Sequence, residues 1–422
     1  MKYSIVELFS GIGSQLKALK NLKFDINVQN TCEWDIHAFV AYDLIHQTNI
    51  IVNQDKELTR NEILKFLSKY ELSNNGKAPM QYSSVERYND DVLKQIYYAI
   101  KRTNNLVNIK NVHAKDMPPK TDILTYSFPC QDLSNVGAFH GYNKGINPDS
   151  GSRSSLLWQV GRILEEMKKE KRMLPKYLIM ENVPTLLSDR HFYNFNKWIL
   201  LLDSLGYRSR YFPLNAKDFG IPQNRPRLLM LSIFVGDSKR KKEKVLKYFK
   251  SVTPQSIVED YCNSIFYNKK RVRDLLRIPK GKNSKFWEEA IESTPNDTPS
   301  RRKIWNENPK IIDENYNLMD DPFIRTLTTK QDRNPNSGNI YFDSGIKNKG
   351  SFRYLTPREC LLFMGFTDED YENIIKNNIQ KDKIHSFFSK DNIIKMAGNS
   401  IPVKLLEGFF YQLYKIEKIL KN

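Results

Sequence analysis

The chain has 422 residues, enough for one large domain with a sizeable core and a smaller one beside it, and its 66 Lys and Arg against 48 Asp and Glu leave a formal charge of +18. That surplus suits a polyanionic partner, because each neutralised phosphate releases counterions, although a Lys-, Asn- and Ile-rich composition also follows from AT-rich coding alone. Cys32, Cys130, Cys262 and Cys360 stand far apart with no CxxC pair, which argues against a disulfide framework or a zinc site; no apolar run reaches the length of a bilayer span and Met1-Lys-Tyr-Ser lacks a signal-peptide pattern, so a soluble, cytoplasmic protein without metal is expected.

In chain order, Ser4-Ile-Val-Glu-Leu-Phe9 reads as a strand that ends at Ser10-Gly-Ile-Gly-Ser14, followed by a helix over Gln15 to Asn21. A second strand near Asn27–Cys32 ends at Glu33-Trp34, and a helix carrying Ala38, Phe39, Tyr42 and Ile45 comes next. Residues 54–105 form a polar, helix-leaning insertion without a chemical motif. Further strands are expected at Asp122–Ser127, Lys176–Met180, Tyr207–Pro213 and Arg227–Phe234, with amphipathic helices between several of them. Strands separated by helical patterns imply an α/β fold built on a doubly wound, mostly parallel sheet. The alternation stops near Val235. Lys239-Arg-Lys-Lys-Glu-Lys244 reads as a solvated charged face, and the polar, irregular stretch from there to about Ser351 reads as a separate, smaller domain.

The chemistry sits at strand ends. Phe9-Ser-Gly-Ile-Gly13 lets the backbone approach a ligand closely, Glu33 at the end of the next strand can accept from two ribose hydroxyls, and Trp34 offers a face to a purine. A plain tight turn is the alternative for the Gly-x-Gly pair taken alone, and the missing third glycine counts against NAD or FAD. Cys130 follows Pro129 at the lip of the strand Asp122–Ser127, placed as a nucleophile rather than as a buried structural thiol. Glu181-Asn182 ends another strand, where partial burial would suit a general acid, with helix capping as the alternative. Alternation in Gln223-Asn-Arg-Pro-Arg227 aims Arg225 and Arg227 to one side, and Gly398-Asn-Ser400 reads as a loop before the helix Lys404–Ile419.

In this order the motifs resemble those of the DNA (cytosine-5) methyltransferase family: Phe9-Ser-Gly-Ile-Gly13, Phe128-Pro-Cys-Gln131, Glu181-Asn-Val183, Gln223-x-Arg-x-Arg227, Arg353-x-Leu-Thr-Pro-Arg-Glu-Cys with Gly365-Phe366, and Gly398-Asn-Ser400. The resemblance implies an S-adenosylmethionine-dependent methyltransferase fold. Residues 1–240, completed by 391–422, would form the catalytic and cofactor-binding domain, and 241–390 the target-recognition domain and hinge.

It implies transfer of a methyl group from S-adenosyl-L-methionine to carbon 5 of a flipped-out cytosine in a short specific duplex DNA sequence, leaving S-adenosyl-L-homocysteine. Cys130 would add to carbon 6 of the ring, Glu181 would serve ring nitrogen 3, and Arg227, supported by Arg225, the 2-oxo group. Cofactor contacts would come from Phe9, Gly11, Gly13, Glu33, Trp34, Ile109, Pro129, Leu156 and Asn399, with Asn108 standing where many members have Asp. DNA contacts would come from Gln131 and Ser134, in a closing loop over Ser127–Gly145, and from Arg325, Thr326, Leu327, Thr328 and Arg333 around a Thr-Leu signature. A monomer holding duplex DNA between its two domains is expected, with a restriction endonuclease as a functional partner and no membrane. An RNA-directed relative and a non-catalytic DNA-binding relative are the rival readings; the long segment before Arg353 and the presence of Cys130 and Glu181 weigh against them.

Overall fold

A computed structural model of the chain describes residues 2–46, 58–133, 145–147, 151–320, 322–332 and 335–421. The first strand, β1 (Lys2–Leu8), buries Tyr3, Ile5, Val6, Glu7 and Leu8, so both its faces are covered. A strand buried on both sides belongs in the middle of a helix-covered sheet. β3 (Ile123–Tyr126) and β4 (Tyr177–Asn182) are buried along their whole lengths, whereas β2 (Asp25–Cys32) and β5 (Tyr207–Asn215) have mixed exposure, as edge strands do. With β6 (Pro226–Phe234) they form one six-stranded sheet in the order β2-β1-β3-β4-β6-β5. β1 is parallel to β2 and β3, and β3 is parallel to β4; β6 returns antiparallel against β4.

Two consequences position the site. The carboxyl ends of β2, β1, β3 and β4 all lie along one sheet edge. The chain winds outward from β1 in both directions, to β2 on one side and β3 on the other, so the crevice where ligands collect in such sheets lies between β1 and β3. The expected strands are all present with ends shifted by no more than two residues; Phe9 falls just beyond β1, because its backbone turns to φ +57° there.

Two helices follow the first strands, α1 (Ser14–Asn21) and α2 (Ile36–His46). The helices Leu157–Lys169 and Asp189–Ser204 cover β3 and β4, and Trp198 from the second is fully buried, its indole N–H donating to Tyr126 Oη at 3.2 Å.

The chain divides into two compact units. The larger comprises 1–214, 226–266 and 406–422, and the smaller 215–225 and 267–405. These limits differ from the expected 240 and 391. The charged run from Lys239 begins a helix, Lys239–Ser251, whose inner face buries Val245, Tyr248 and Phe249. With the helix Pro254–Cys262 it belongs to the larger unit, tied by Tyr248 and Asp260 to Gln412 of the C-terminal helix Val403–Lys421 (3.0 Å each). The smaller unit has short elements: a three-stranded sheet of β7 (Lys310–Ile312), β8 (Asn339–Tyr341) and β9 (Phe352–Arg353), with helices of four to ten residues. One reading is corrected. Gly398 and Asn399 close the helix Lys390–Asn399, whose inward Ile393, Ile394, Met396 and Ala397 carry helical spacing, and so are not a loop capping the next helix.

Within the smaller unit, Arg353 and Glu359 form a fully buried ion pair (2.7 and 2.9 Å). Glu359 also closes a capping box with Thr356 and accepts from Arg277 N at 2.7 Å. Burial alone would raise the Glu359 carboxyl; the Arg353 charge and these hydrogen bonds outweigh it and hold the group below the ordinary carboxylate range. Breaking one side of such a pair strands the other charge. Arg353→Met is expected to lower unfolding stability by about 3–5 kcal/mol in denaturant titration, and adding Glu359→Leu to recover part of the loss.

Candidate active site

The glycine turn leaves β1 at Phe9 and enters α1 at Ser14. Gly13 N donates to Ser10 O (2.9 Å), and Ser10 N to Cys32 O (3.2 Å), which fastens the turn to the end of β2. Gly13 adopts φ +80°, and a Cβ there would lie 2.1 Å from His46 Nε2, so conformation and space both demand glycine. Gly11, at φ +53°, faces open space: no atom stands within 4 Å of where its Cβ would be. Its N–H donates to Glu33 Oε2 (3.1 Å), and Asp35 N donates to Glu33 Oε1 (2.9 Å). The carboxylate is thereby fixed just past the carboxyl end of β2. Ser10 Oγ, in the same turn, is buried with no hydrogen-bond partner among the described residues.

A buried polar group backs the turn. Glu7, fully buried, accepts from Leu16 N (3.2 Å) and from the Tyr42 hydroxyl, and His46 sits 3.1 Å from Ile12 O through Nε2. Burial pushes the Glu7 carboxyl up to about 7, against the hydrogen bonds from Tyr42 and Leu16, and pushes His46 down to about 3, helped by the Lys20 charge. Both groups are therefore held towards their neutral forms, and the His46 ring donates its Nε2–H to Ile12 O.

Cys130 stands four residues past the end of β3, half-buried and not in a disulfide. The Phe128–Leu133 segment is pinned from three directions: Asn182 Nδ2 donates to Phe128 O (3.0 Å), Ser154 Oγ to Pro129 O (2.6 Å) and Thr185 Oγ1 to Leu133 O (2.6 Å). Because β3 and β4 pair in parallel, with Tyr126 opposite Met180, Glu181 ends its strand beside the one that delivers Cys130. Glu181 pairs with Arg227 of β6, Nε to Oε1 at 2.8 Å, both side chains 12% exposed. That contact follows from register: Leu229 faces Glu181 across the antiparallel ladder, and Arg227 lies two residues along on the same face.

Arg225 goes elsewhere. Its guanidinium donates to Leu327 O (2.6 Å), Gly398 O (2.7 Å) and Ser400 O (3.0 Å), all within the smaller unit. The expectation that Arg225 and Arg227 aim to one side is corrected, since the strand alternation begins only at Pro226. Gln223 belongs to the same clasp, accepting from Leu327 N (3.0 Å) and donating to Phe363 O (2.8 Å). A Cβ on Gly398 would come within 2.7 Å of Thr328 O, so the helix end and the Thr-Leu segment touch backbone to backbone.

On the third side, Asn108 is buried with both ends of its amide engaged: Oδ1 accepts from Lys110 N (3.0 Å), and Nδ2 donates to Glu71 Oε2 (2.6 Å). Ile109 is buried in the hydrophobic core, and Leu156 packs partly buried against it. Trp34 is half-buried between β2 and α2. Gln131 is half-buried, and its Oε1 has no hydrogen-bond partner among the described residues. Arg325 is exposed, Thr326 Oγ1 donates to Asn224 O (2.7 Å), Leu327 is fully buried, and Thr328 Oγ1 donates to Lys330 O (2.8 Å). Asn399, the last residue of its helix, lies in the smaller unit. Ser134 and Arg333, and residues 134–144 of the expected closing loop, lie outside the described residues. Sequence reasoning missed Asn182 and Ser154, which hold the Cys130 segment, and Asn105, which grips Glu33 from within an insertion that offered no motif. Among the described residues no cluster of His, Cys, Asp and Glu could hold a metal ion, and no helix is long and apolar enough to cross a membrane.

A glycine turn and a carboxylate thus stand on adjacent strand ends, with a thiol and a Glu–Arg pair further along the same edge of an open α/β sheet. The family described as C-5 cytosine-specific DNA methylase matches residues 81–415, and the chain belongs to it. It is 32% identical over 417 residues to the Type II methyltransferase M2.ScrFI of Lactococcus lactis subsp. cremoris (97% of this chain, 99% of that one). It is 33% identical over 419 residues to the Orphan methyltransferase M.SssI of Spiroplasma monobiae (96% of each). The structure of S. pombe Dnmt2 methyltransferase shares the fold at a TM-score of 0.57 and 16% identity, over 99% of both chains. A putative DNA modification methyltransferase encoded within an E. coli prophage does so at 0.50 and 17%, again over 99% of both. The enzyme methylates carbon 5 of cytosine in DNA and uses S-adenosyl-L-methionine.

The buried pair behind the turn has a pH signature. Glu7 titrates near 4.5 when unfolded and near 7 when folded, so the stability from its neutral form is full below 4.5 and is lost as pH rises through about 7. His46 works the other way, its stabilising neutral form being lost as pH falls below 6.5 towards about 3. Relative to wild type, Glu7→Gln should gain about 1–3 kcal/mol between the acid and neutral ends of that window, and His46→Gln should show the opposite slope, in urea unfolding at matched pH values.

Proposed function

We propose that Cys130, Glu181 and Arg227 carry out the methyl transfer, with the cofactor held by the turn and strand ends between β1 and β3. The observation that carries this reading is the Glu181–Arg227 pair at 2.8 Å, on the strand end next to the one that delivers Cys130. The residues present fit the cofactor: open space over Gly11, an unpartnered buried hydroxyl at Ser10, and a Glu33 carboxylate fixed by two N–H groups yet able to accept from a ribose. Phe9, Gly11, Gly13, Glu33 and Trp34 would hold its methionine and ribose portions with Asn399. Asn108, Ile109, Pro129 and Leu156 would border its adenine, Asn108 through the Oδ1 lone pair that Lys110 N leaves over. When bound, the group supplies an electrophilic methyl on a sulfonium.

Carbon 5 of cytosine is too weak a nucleophile to take that methyl directly. The Cys130 thiolate adds to carbon 6, which makes carbon 5 the nucleophilic end of an enamine. Glu181 holds or protonates ring nitrogen 3 so that charge does not build on the ring, and Arg227, its partner in the substrate-free site, faces the 2-oxo group. Water removes the proton from carbon 5, and the electrons left behind expel Cys130. Arg225 supports this pocket from a distance, by fixing backbone rather than by touching the base. The target cytosine is flipped out of duplex DNA at a short specific sequence, with Gln131 and Ser134 near the vacated stack and Arg325, Thr326, Leu327, Thr328 and Arg333 reading the duplex.

Residues 1–240 with 391–422 would act as catalytic domain and 241–390 as target-recognition domain and hinge, in a monomer. A place in a cytoplasmic restriction-modification system with a cognate endonuclease belongs to the same proposal; of the two relatives above, one is named a Type II methyltransferase and the other an orphan methyltransferase. The test is methyl transfer to unmethylated plasmid mapped by bisulfite sequencing. Protected cytosines in one short recurring context, absent with Cys130→Ala, are expected. Unprotected DNA from folded, cofactor-binding wild type, or protection that survives in the mutant, would overturn the proposal.

A further inference from the structure

Val107, like Phe9 in the glycine turn, is a non-glycine residue at positive φ close to the cofactor side. It adopts φ +61° while 1% exposed, and a β-branched residue in the left-handed region is strained, because its branched Cβ crowds the backbone there. Strain of this kind persists only where neighbours over-determine it, and it gathers at functional sites. Here the neighbour is Asn105, 3% exposed. Its Oδ1 accepts from Val107 N (2.9 Å) and from Glu33 N (3.0 Å), and its Nδ2 donates to Glu33 O (2.9 Å). Cys32 Sγ donates to Val107 O (3.3 Å), and Leu106 N to Thr31 O (2.9 Å).

One side-chain amide thus makes three hydrogen bonds that join two stretches of chain. The first carries Glu33, whose carboxylate is already held by Gly11 and Asp35. The second leaves Val107 directly into Asn108 and Ile109. Without the bond to Asn105, Val107 would relax to negative φ and swing Asn108 away from Glu33.

We infer that Asn105 is a positioning residue for S-adenosylmethionine: it sets the spacing between the ribose-binding carboxylate and the adenine-side Asn108, and it holds the intervening backbone in a strained form suited to the ligand. This rests on the reading that Glu33 and Asn108 line the cofactor site. It also gives the insertion of residues 54–105 a task, since Asn105 lies at its end, just past the helix Asp90–Thr103.

The test is calorimetric binding of S-adenosylmethionine and S-adenosylhomocysteine to the full chain. Glu33→Ala should weaken binding about tenfold or more, and Asn105→Ala by about five- to fiftyfold, with KM for DNA unchanged. In the Asn105→Ala background, Val107→Gly should restore most of the affinity, because glycine takes positive φ without strain, and Val107→Ala should not. If Asn105→Ala does not fold, Asn105→Asp, which keeps the shared acceptor but loses the donor to Glu33 O, should show the smaller end of that loss. Unchanged affinity in the Asn105 variants while Glu33→Ala binds weakly would overturn this inference and leave the site reading intact. Equal effects of Val107→Gly and Val107→Ala would refute the strain. Unchanged affinity in Glu33→Ala would overturn the reading beneath it.

Discussion

The guanidinium of Arg225 gathers more of this protein than any other single group described above. It binds three carbonyls from two chain segments about seventy residues apart, Leu327 on one and Gly398 and Ser400 on the other. Next to it the Gln223 amide fastens Leu327 N and Phe363 O. Helix C-termini leave carbonyls without intrahelical partners, and a buried arginine with its planar fork of donors is well shaped to collect them. Two residues later Arg227 serves a different purpose, pairing with the Glu181 carboxylate on the main sheet. One five-residue run therefore organises the smaller unit with its first arginine and furnishes the reactive edge with its second. Gly398 completes the clasp by subtraction, because only a residue without Cβ lets the backbone of Thr328 and Thr329 lie so close.

At the other end of the sheet edge, the cofactor turn relies on groups kept neutral. Glu7, Tyr42 and His46 occupy a layer behind the glycines where an isolated charge would be costly. Their hydrogen bonds run to backbone atoms of the turn and of α1, so the polar layer fixes the loop's shape while leaving its outer side to the ligand. The division of labour is simple: buried neutral groups shape the turn, and the half-buried Glu33 stands at the strand edge.

Much of this could be read from the residues alone. The strand-helix alternation gave the sheet, and the strand ends named Glu33, Cys130 and Glu181, because each sits at or just past the end of a strand, a buried one for Cys130 and Glu181. Period two gave Arg227 its face. The same alternation misled for Arg225, which precedes the strand and takes its direction from carbonyls a hundred and more residues away, a contact that no local pattern encodes. Gly398-Asn399 looked like a loop because glycine and asparagine end helices as often as they precede them. Asn105 carried no signal, since its importance lies in the backbone it grips rather than in its own chemistry. Asn108 was found as a position, but its bond to Glu71 was hidden in a region without a motif. The helices after Val235 were obscured by the lysines on their outer faces.

The C-terminal helix has a bearing on how the protein is made. It packs against the beginning of the chain: Glu407 accepts from Asn21 (2.6 Å), the Tyr414 hydroxyl donates to Leu22 O (2.7 Å), and the Tyr414 ring stacks on Phe24. Glu417 meanwhile takes Lys176 and Tyr177 at the start of β4. During translation the first strands emerge long before their covering helix exists, and a parallel sheet is slow to assemble because its contacts are distant in sequence. The larger unit therefore stays open, with apolar surface uncovered, until the helix Val403–Lys421 has been made. Growing chains should need chaperone shelter over that interval, and a ribosome stalled before residue 403 would release a polypeptide with an unsealed sheet.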